Sequence, residues 1–125
     1  MKKSNPRLGK VQLEIMRVLW RAGEATARQI TDDLCLRTPI AHSTVQTLLR
    51  KLEAKGAVTH DVDDRTFIFR PLYREADVTE TATRDLLSRL FGGSVTGLVA
   101  HLLKHERISD EELGELRRLI DKEKE

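Results

Sequence analysis

The chain has a single cysteine, Cys35, only 4% aromatic residues, and no apolar run near the ~18 residues that a membrane-spanning helix requires. One thiol excludes an internal disulfide. Its place in an amphipathic stretch suits a small buried hydrophobe better than a reactive group. The N-terminus, "MKKSNPRLGK", lacks the apolar core of a signal peptide, so a cytoplasmic protein is expected. Absent as well are a Gly-rich phosphate loop, paired carboxylates in an apolar setting, and a nucleophile with a base at a recognisable spacing; an enzyme is not expected. No internal repeat or low-complexity segment is present apart from a short charged tail, "DKEKE".

What the chain does have is charge, at 34% of its 125 residues, and aliphatic side chains. That combination suggests a helix-rich protein with an aliphatic core, and the length suffices for one domain, or for a small domain plus an assembly arm. The net charge of +2 hides an asymmetry. Residues 1–73 hold 13 Lys/Arg against 8 Asp/Glu, and residues 74–125 hold 9 against 12, so the first part is +5 and the second −3. A basic N-terminal module points to a polyanionic partner.

Hydrophobic periodicity divides the chain into elements. Val11, Ile15, Val18 and Ala22 share one face of a first helix over about Leu8–Ala22, flanked by Leu8 and Leu19 and stopped by Gly23. Thr26 and Gln29 have capping-box spacing, and Ile30 and Leu34 give a short second helix ending before Pro39. In "HSTVQTLLRKLEAKG", residues 42–56, Ser43 and Gln46 form a third capping-box candidate. Val45, Leu48, Leu49 and Leu52 make an apolar stripe, and Gly56 supplies the stop. Val58, His60 and Val62, then Phe67 and Phe69, alternate on either side of a "DDR" turn at 63–65, which predicts a two-stranded hairpin. Trp20 is expected to anchor the packing of this module.

The remaining residues predict three more helices, about Thr79–Phe91, Ser94–His105 and Asp110–Lys122, with Gly92-Gly93 ending the first. Ser109 and Glu112 predict a capping box for the last, with Ile108 and Leu113 as a hydrophobic staple. Their stripes include Leu86, Leu87, Leu90 and Phe91; Leu98, Val99 and Leu102; and Leu113, Leu116 and Ile120. So short a segment cannot enclose a sizeable core alone. The expected solution is a C2 homodimer through this arm, the alternative being an arm folded back on its own chain. The architecture expected is thus mainly α with a small β-hairpin: a winged helix-turn-helix over residues 1–73 and a three-helix dimerisation arm over 74–125.

The outer face of the third helix has the order that a major-groove reader needs, small hydrogen-bonding groups first and cations after. Ser43, Thr44, Gln46 and Thr47 are candidates for base edges, with Gln46 suited to adenine N6 and N7. Arg50, Lys51 and, at the wing tip, Arg65 are candidates for phosphates. Each has a blander use: Gln46 as the capping partner of Ser43, Arg50 and Lys51 as a solvated face, and Arg65 offset by Asp63 and Asp64. A winged module that binds protein rather than DNA is the competing class, but it would expose apolar residues on that helix.

Four blocks together, "LEIMRVLW" at 13–20, "HSTVQTLLRKLEAKG" at 42–56, "FIFRPL" at 67–72 and "SVTGLVAHLL" at 94–103, resemble the penicillinase-repressor family of BlaI/MecI type, from Leu8 to about Lys122. The resemblance implies a homodimeric repressor on an inverted-repeat operator of double-stranded DNA, with Ser43, Thr44, Gln46 and Thr47 at the operator-contacting positions. Best-studied members read TACA/TGTA-type half-sites and often have a basic residue where this chain has Gln46. The resemblance also implies release by proteolysis, through a membrane sensor protease that cuts the second arm helix. The bond there is Asn-Phe in the best-known members and His101-Leu102 in this chain. The family's copper-responsive branch ends in a cysteine-rich motif; this chain ends "RRLIDKEKE". His101 and His105 stand i, i+4 but lack a third ligand, so neither metal nor cofactor is expected.

Overall fold

The computed structural model describes residues 7–124, so Met1–Pro6 of the N-terminal segment and the last residue of the charged tail lie outside the described residues. Helix α1, Lys10–Ala22, starts two residues later than the periodicity suggests. Its buried face is Ile15, Met16, Val18 and Leu19, so the stripe is rotated from the predicted one and Ala22 is exposed. A two-residue strand β1, Ala25–Thr26, leads into α2, Ala27–Cys35. The predicted capping box is present: the Gln29 N–H donates to Thr26 Oγ1 at 3.1 Å, and the Thr26 N–H donates to Gln29 Oε1 at 2.8 Å. Cys35, expected inside, is exposed and its thiol donates to Ile40 O at 3.4 Å. It is the last residue of α2, one position past the buried Leu34 and off the face that Ile30 and Leu34 share.

Helix α3, His42–Ala54, buries Val45, Leu49 and Leu52, as its stripe predicts. It ends at Gly56, whose φ of 86° no β-carbon-bearing residue adopts cheaply; the Ala57 N–H then closes on Leu52 O at 2.9 Å. The hairpin is β2, Val58–Asp63, and β3, Thr66–Pro71, with Asp63 opposite Thr66. Its turn is therefore Asp64-Arg65, both at positive φ (52° and 68°), the type I′ geometry that matches strand twist. The sheet has three strands rather than two, in the order β1-β3-β2, all antiparallel, with Ala25 opposite Phe69 and Thr26 opposite Ile68.

The arm comprises α4, Glu75–Phe91, α5, Val95–His105, and α6, Asp110–Lys124. Helix α4 begins four residues before the predicted Thr79, with Glu75 and Asp77 in its first turn. Gly92 and Gly93 (φ 55° and 85°) stop it. Ser94 caps α5, its Oγ accepting from the Gly97 N–H at 2.8 Å, and Ser109 Oγ accepts from the Glu112 N–H at 3.1 Å ahead of α6.

The chain divides into two compact units between Thr83 and Arg84, within α4 and later than the 73/74 joint read from the sequence. The first unit is closed around one aliphatic core in which Ile15, Met16, Leu19, Ile30, Val45, Leu49, Leu52 and Val58 are all buried. Trp20 anchors its edge: the ring packs on that core, and its indole N–H donates to Tyr73 O at 2.9 Å. Among the described residues of the second unit, α5 and α6 bury no side chain completely.

Candidate nucleic-acid interface

The face of α3 that the core leaves over is polar throughout. Ser43, Thr44, Gln46, Thr47, Arg50 and Lys51 are all exposed. The capping box expected from Ser43 and Gln46 does not form. The helix begins at His42 with Ala41 as N-cap, the N–H groups of Thr44 and Val45 turn back to Ala41 O at 3.0 and 3.2 Å, and no side chain caps the end. One contact accounts for the shift. His42 Nδ1 lies 2.8 Å from Thr31 Oγ1, which is buried on α2 and donates to Ala27 O at 2.9 Å. A hydroxyl has a single proton, and Ala27 O can only accept it; the hydrogen between Thr31 and His42 therefore belongs to the imidazole. That bond ties the first residue of α3 to the middle of α2. It frees Gln46, whose amide makes no hydrogen bond among the described residues, for a partner outside the chain.

The wing stands beside this face. Arg65 is at its tip, in the I′ turn. His60 on β2 links the wing to α3, its Nδ1 at 2.9 Å from both carboxylate oxygens of Glu53, while its ring stacks on Phe67 at 3.9 Å between centroids. Between α3, the start of α2 and the wing lies a groove of about 430 Å³. Arg28, His42, Gln46, Arg50 and Arg65 line it along with Glu53, over an apolar floor that includes Leu49, Phe67 and Phe69. Of the sequence candidates, the structure brings Gln46, Arg50 and Arg65 to this groove. Ser43, Thr44, Thr47 and Lys51 are elsewhere on the exposed face of α3.

Two groove residues, Arg28 and His42, were not singled out from the sequence. A signal existed for Arg28: it stands in the first turn of a capped helix, where an acid is the favourable charge. The first turns of α1, α2 and α3 contain no acid at all, whereas α4 has Glu75 and Asp77 and α6 has Asp110, Glu111 and Glu112. The starts of α1, α2 and α3 thus have no first-turn acid of their own to compete with an anion from outside.

In the arm, Leu86, Leu90, Val99, Leu102 and Ile120 are exposed, while Leu87, Phe91, Leu98, Leu113 and Leu116 are half-buried. His101 and Leu102 lie inside α5 with their side chains exposed, and the His101 ring contacts Phe91 and His105 at centroid distances of 5.7 and 4.4 Å. Among the described residues, no three His, Cys, Asp or Glu side chains gather in a way that suits a metal ion. Nor, among them, is any single helix long and apolar enough to cross a membrane.

The family model of the penicillinase repressor matches residues 8–122. The chain belongs to the penicillinase repressor family. Within it, the Bacillus licheniformis penicillinase repressor is 28% identical over 122 residues, covering 98% of this chain and 95% of that one. The methicillin resistance regulatory protein MecI of Staphylococcus aureus is 24% identical over 92% of this chain and 94% of its own. Among solved structures, monomeric Bacillus licheniformis BlaI in complex with the blaP half-operator superposes with a TM-score of 0.52 at 29% identity, covering 61% of this chain and 93% of that one. The first unit of this family member is accordingly a winged helix-turn-helix, built as the sequence predicts.

Proposed function

We propose that this chain is a cytoplasmic, homodimeric transcriptional repressor that binds an inverted-repeat operator. In this reading Ser43, Thr44, Gln46 and Thr47 meet base edges, and Arg50, Lys51 and Arg65 meet phosphates. The observation that carries it is the outer face of α3: six polar residues are exposed side by side, and the amide best suited to an adenine edge is left unbonded. The BlaI half-operator complex supports it by kinship.

Dimerisation falls to the arm. Leu86, Leu90, Val99, Leu102 and Ile120 are 40–71% exposed in the single chain, and burying one such leucine contributes about 1.5–3 kcal/mol. A second copy of the same helices is the partner whose faces match by symmetry. Two half-site contacts joined in one dimer gain effective concentration, and cutting the arm forfeits it. Cleavage at His101-Leu102 by a membrane sensor protease is the corresponding release step. The bond is helical, so α5 must open locally before an active site can take it.

The test is fluorescence anisotropy of the full chain against its own upstream DNA and a scrambled duplex, over a range of salt. Preference for the native duplex by about 10³ or more, lost on Gln46→Ala or Thr47→Ala, is the expected result. Equal, steeply salt-dependent binding to both duplexes contradicts operator reading.

A further inference from the structure

We infer that Arg28, Arg50 and Arg65 form a three-sided clamp on one phosphodiester of the duplex backbone. The inference rests on the DNA-binding reading above and narrows it to a single phosphate held by α2, α3 and the wing together. The three arginines come from three elements separated in sequence, α2, α3 and the turn of the wing, and all three line one groove of about 430 Å³.

The state of these arginines sets them apart from their neighbours. Arg21 and Arg37 both bond Asp33, at 3.0 and 3.4 Å, and Arg70 bonds Asp61 at 3.3 Å. Among the described residues, Arg28, Arg50 and Arg65 have no carboxylate partner; Arg50 only reaches Thr47 Oγ1 at 3.4 Å. Three like charges around one groove repel one another, and the groove's lining offers them a single carboxylate, Glu53, which is turned to His60 Nδ1 and bonds none of the three. An anion from outside relieves all three at once, by charge-assisted hydrogen bonds from planar donors suited to phosphate. The ring of Phe67, held by its stack on His60, gives the groove an apolar wall. A phosphodiester carrying a deoxyribose uses that wall, whereas free inorganic phosphate does not.

The salt dependence of duplex binding counts the phosphates neutralised, with a slope of about 0.9 per phosphate in log K against log[salt]. If the three arginines share one phosphate, the triple variant Arg28→Ala, Arg50→Ala, Arg65→Ala of the full chain loses about one unit of slope. Arg28→Ala alone weakens native and scrambled duplex by the same factor, roughly tenfold, with little change in slope. The triple lysine variant, a check against misfolding, keeps the slope. A loss near three units overturns the clamp in favour of three separate phosphates, and unchanged slope and affinity overturn any backbone contact in the groove. Inorganic phosphate is expected to compete no better than chloride at equal ionic strength; tight binding of it, abolished by Arg28→Ala while duplex slopes stay unchanged, also overturns the clamp. Wild-type protein that binds no duplex at any salt defeats the DNA-binding reading itself, an outcome distinct from all of these.

Discussion

The winged unit and the arm are made of the same aliphatic side chains at the same helical spacing, yet only one of them covers those side chains. Val45, Leu49 and Leu52 on α3 are at most 1% exposed, whereas Leu90 on α4 is 71% exposed and Leu119 on α6 is 59%. The difference lies in what crosses each helix. Around α3 the chain returns three times, as α1, α2 and the sheet, and each return brings apolar atoms. In the arm, helices follow one another with no sheet to close over them. An apolar stripe thus specifies which face is turned from water, while the number of elements available decides whether the same chain can cover it.

The largest effect that this comparison predicts is on the closed side. Leu49→Ala removes a side chain that is 1% exposed, and such truncations cost about 2–5 kcal/mol depending on how far the cavity collapses. Urea unfolding is expected to show this loss at every protein concentration. A loss below about 1 kcal/mol would mean that the winged core is looser than its burial implies. On the open side, Leu90→Ala is expected to leave the unfolding of the winged unit unchanged and to weaken self-association instead. The substitution enters a C2 dimer twice, so about 2–3 kcal/mol of association free energy is at stake. Sedimentation equilibrium measures it; unchanged association would remove Leu90 from the dimer contact.

Much of the contrast is readable in the sequence, because periodicity and punctuation are local. The α3 stripe, the Thr26–Gln29 box and the Gly56 and Gly92-Gly93 stops all depend on residues within one or two turns of each other. What escaped was non-local. Strand β1 has only two residues and exists because β3 offers an edge to Ala25 and Thr26. The start of α3 is set by Thr31, eleven residues upstream of His42, which overrides the capping signal of Ser43. Cys35 is exposed because the chain leaves the core at the end of α2, which a thiol's general preference for burial does not foresee. Arg28 escaped for a similar reason: nothing in its local pattern links it to Arg50 and Arg65, and only the fold brings them to one groove.

The caps sharpen the comparison at a smaller scale. Thr26→Ala removes the hydroxyl that receives the Gln29 N–H, a loss of about 1 kcal/mol. Because α2 belongs to the closed core, this loss is expected as a lower urea midpoint. Ser94→Ala removes the corresponding bond at α5, where Gly97 already weakens the helix. There it is expected as faster amide exchange confined to α5, and as faster cutting of the arm by a nonspecific protease. Faster exchange at α2 and α5 alike from either variant, or a fall in the global midpoint from both variants equally, would show that arm and core unfold together.

The smallest effects are those of exposed ion pairs, and they discriminate the two regions by being equal or unequal. Arg21 bonds Asp33 at 3.0 Å in the winged unit, and Arg89 bonds Asp85 at 3.1 Å along α4, with both arginine side chains at least 60% exposed. Such pairs gain little because water screens them and two long side chains must be held still. Arg21→Ala is expected to cost no more than about 0.5 kcal/mol, the less so because Asp33 keeps Arg37 at 3.4 Å. Arg89→Ala is expected to match it at micromolar concentrations or below, where chains are separate. If the two still match when the protein is concentrated enough to associate, the Asp85–Arg89 pair stays in water and the dimer contact is confined to the leucine stripe. If Arg89→Ala becomes the costlier of the two only on association, by 1 kcal/mol or more, the pair is desolvated in the dimer, and the interface extends from the stripe onto the charged flank of α4.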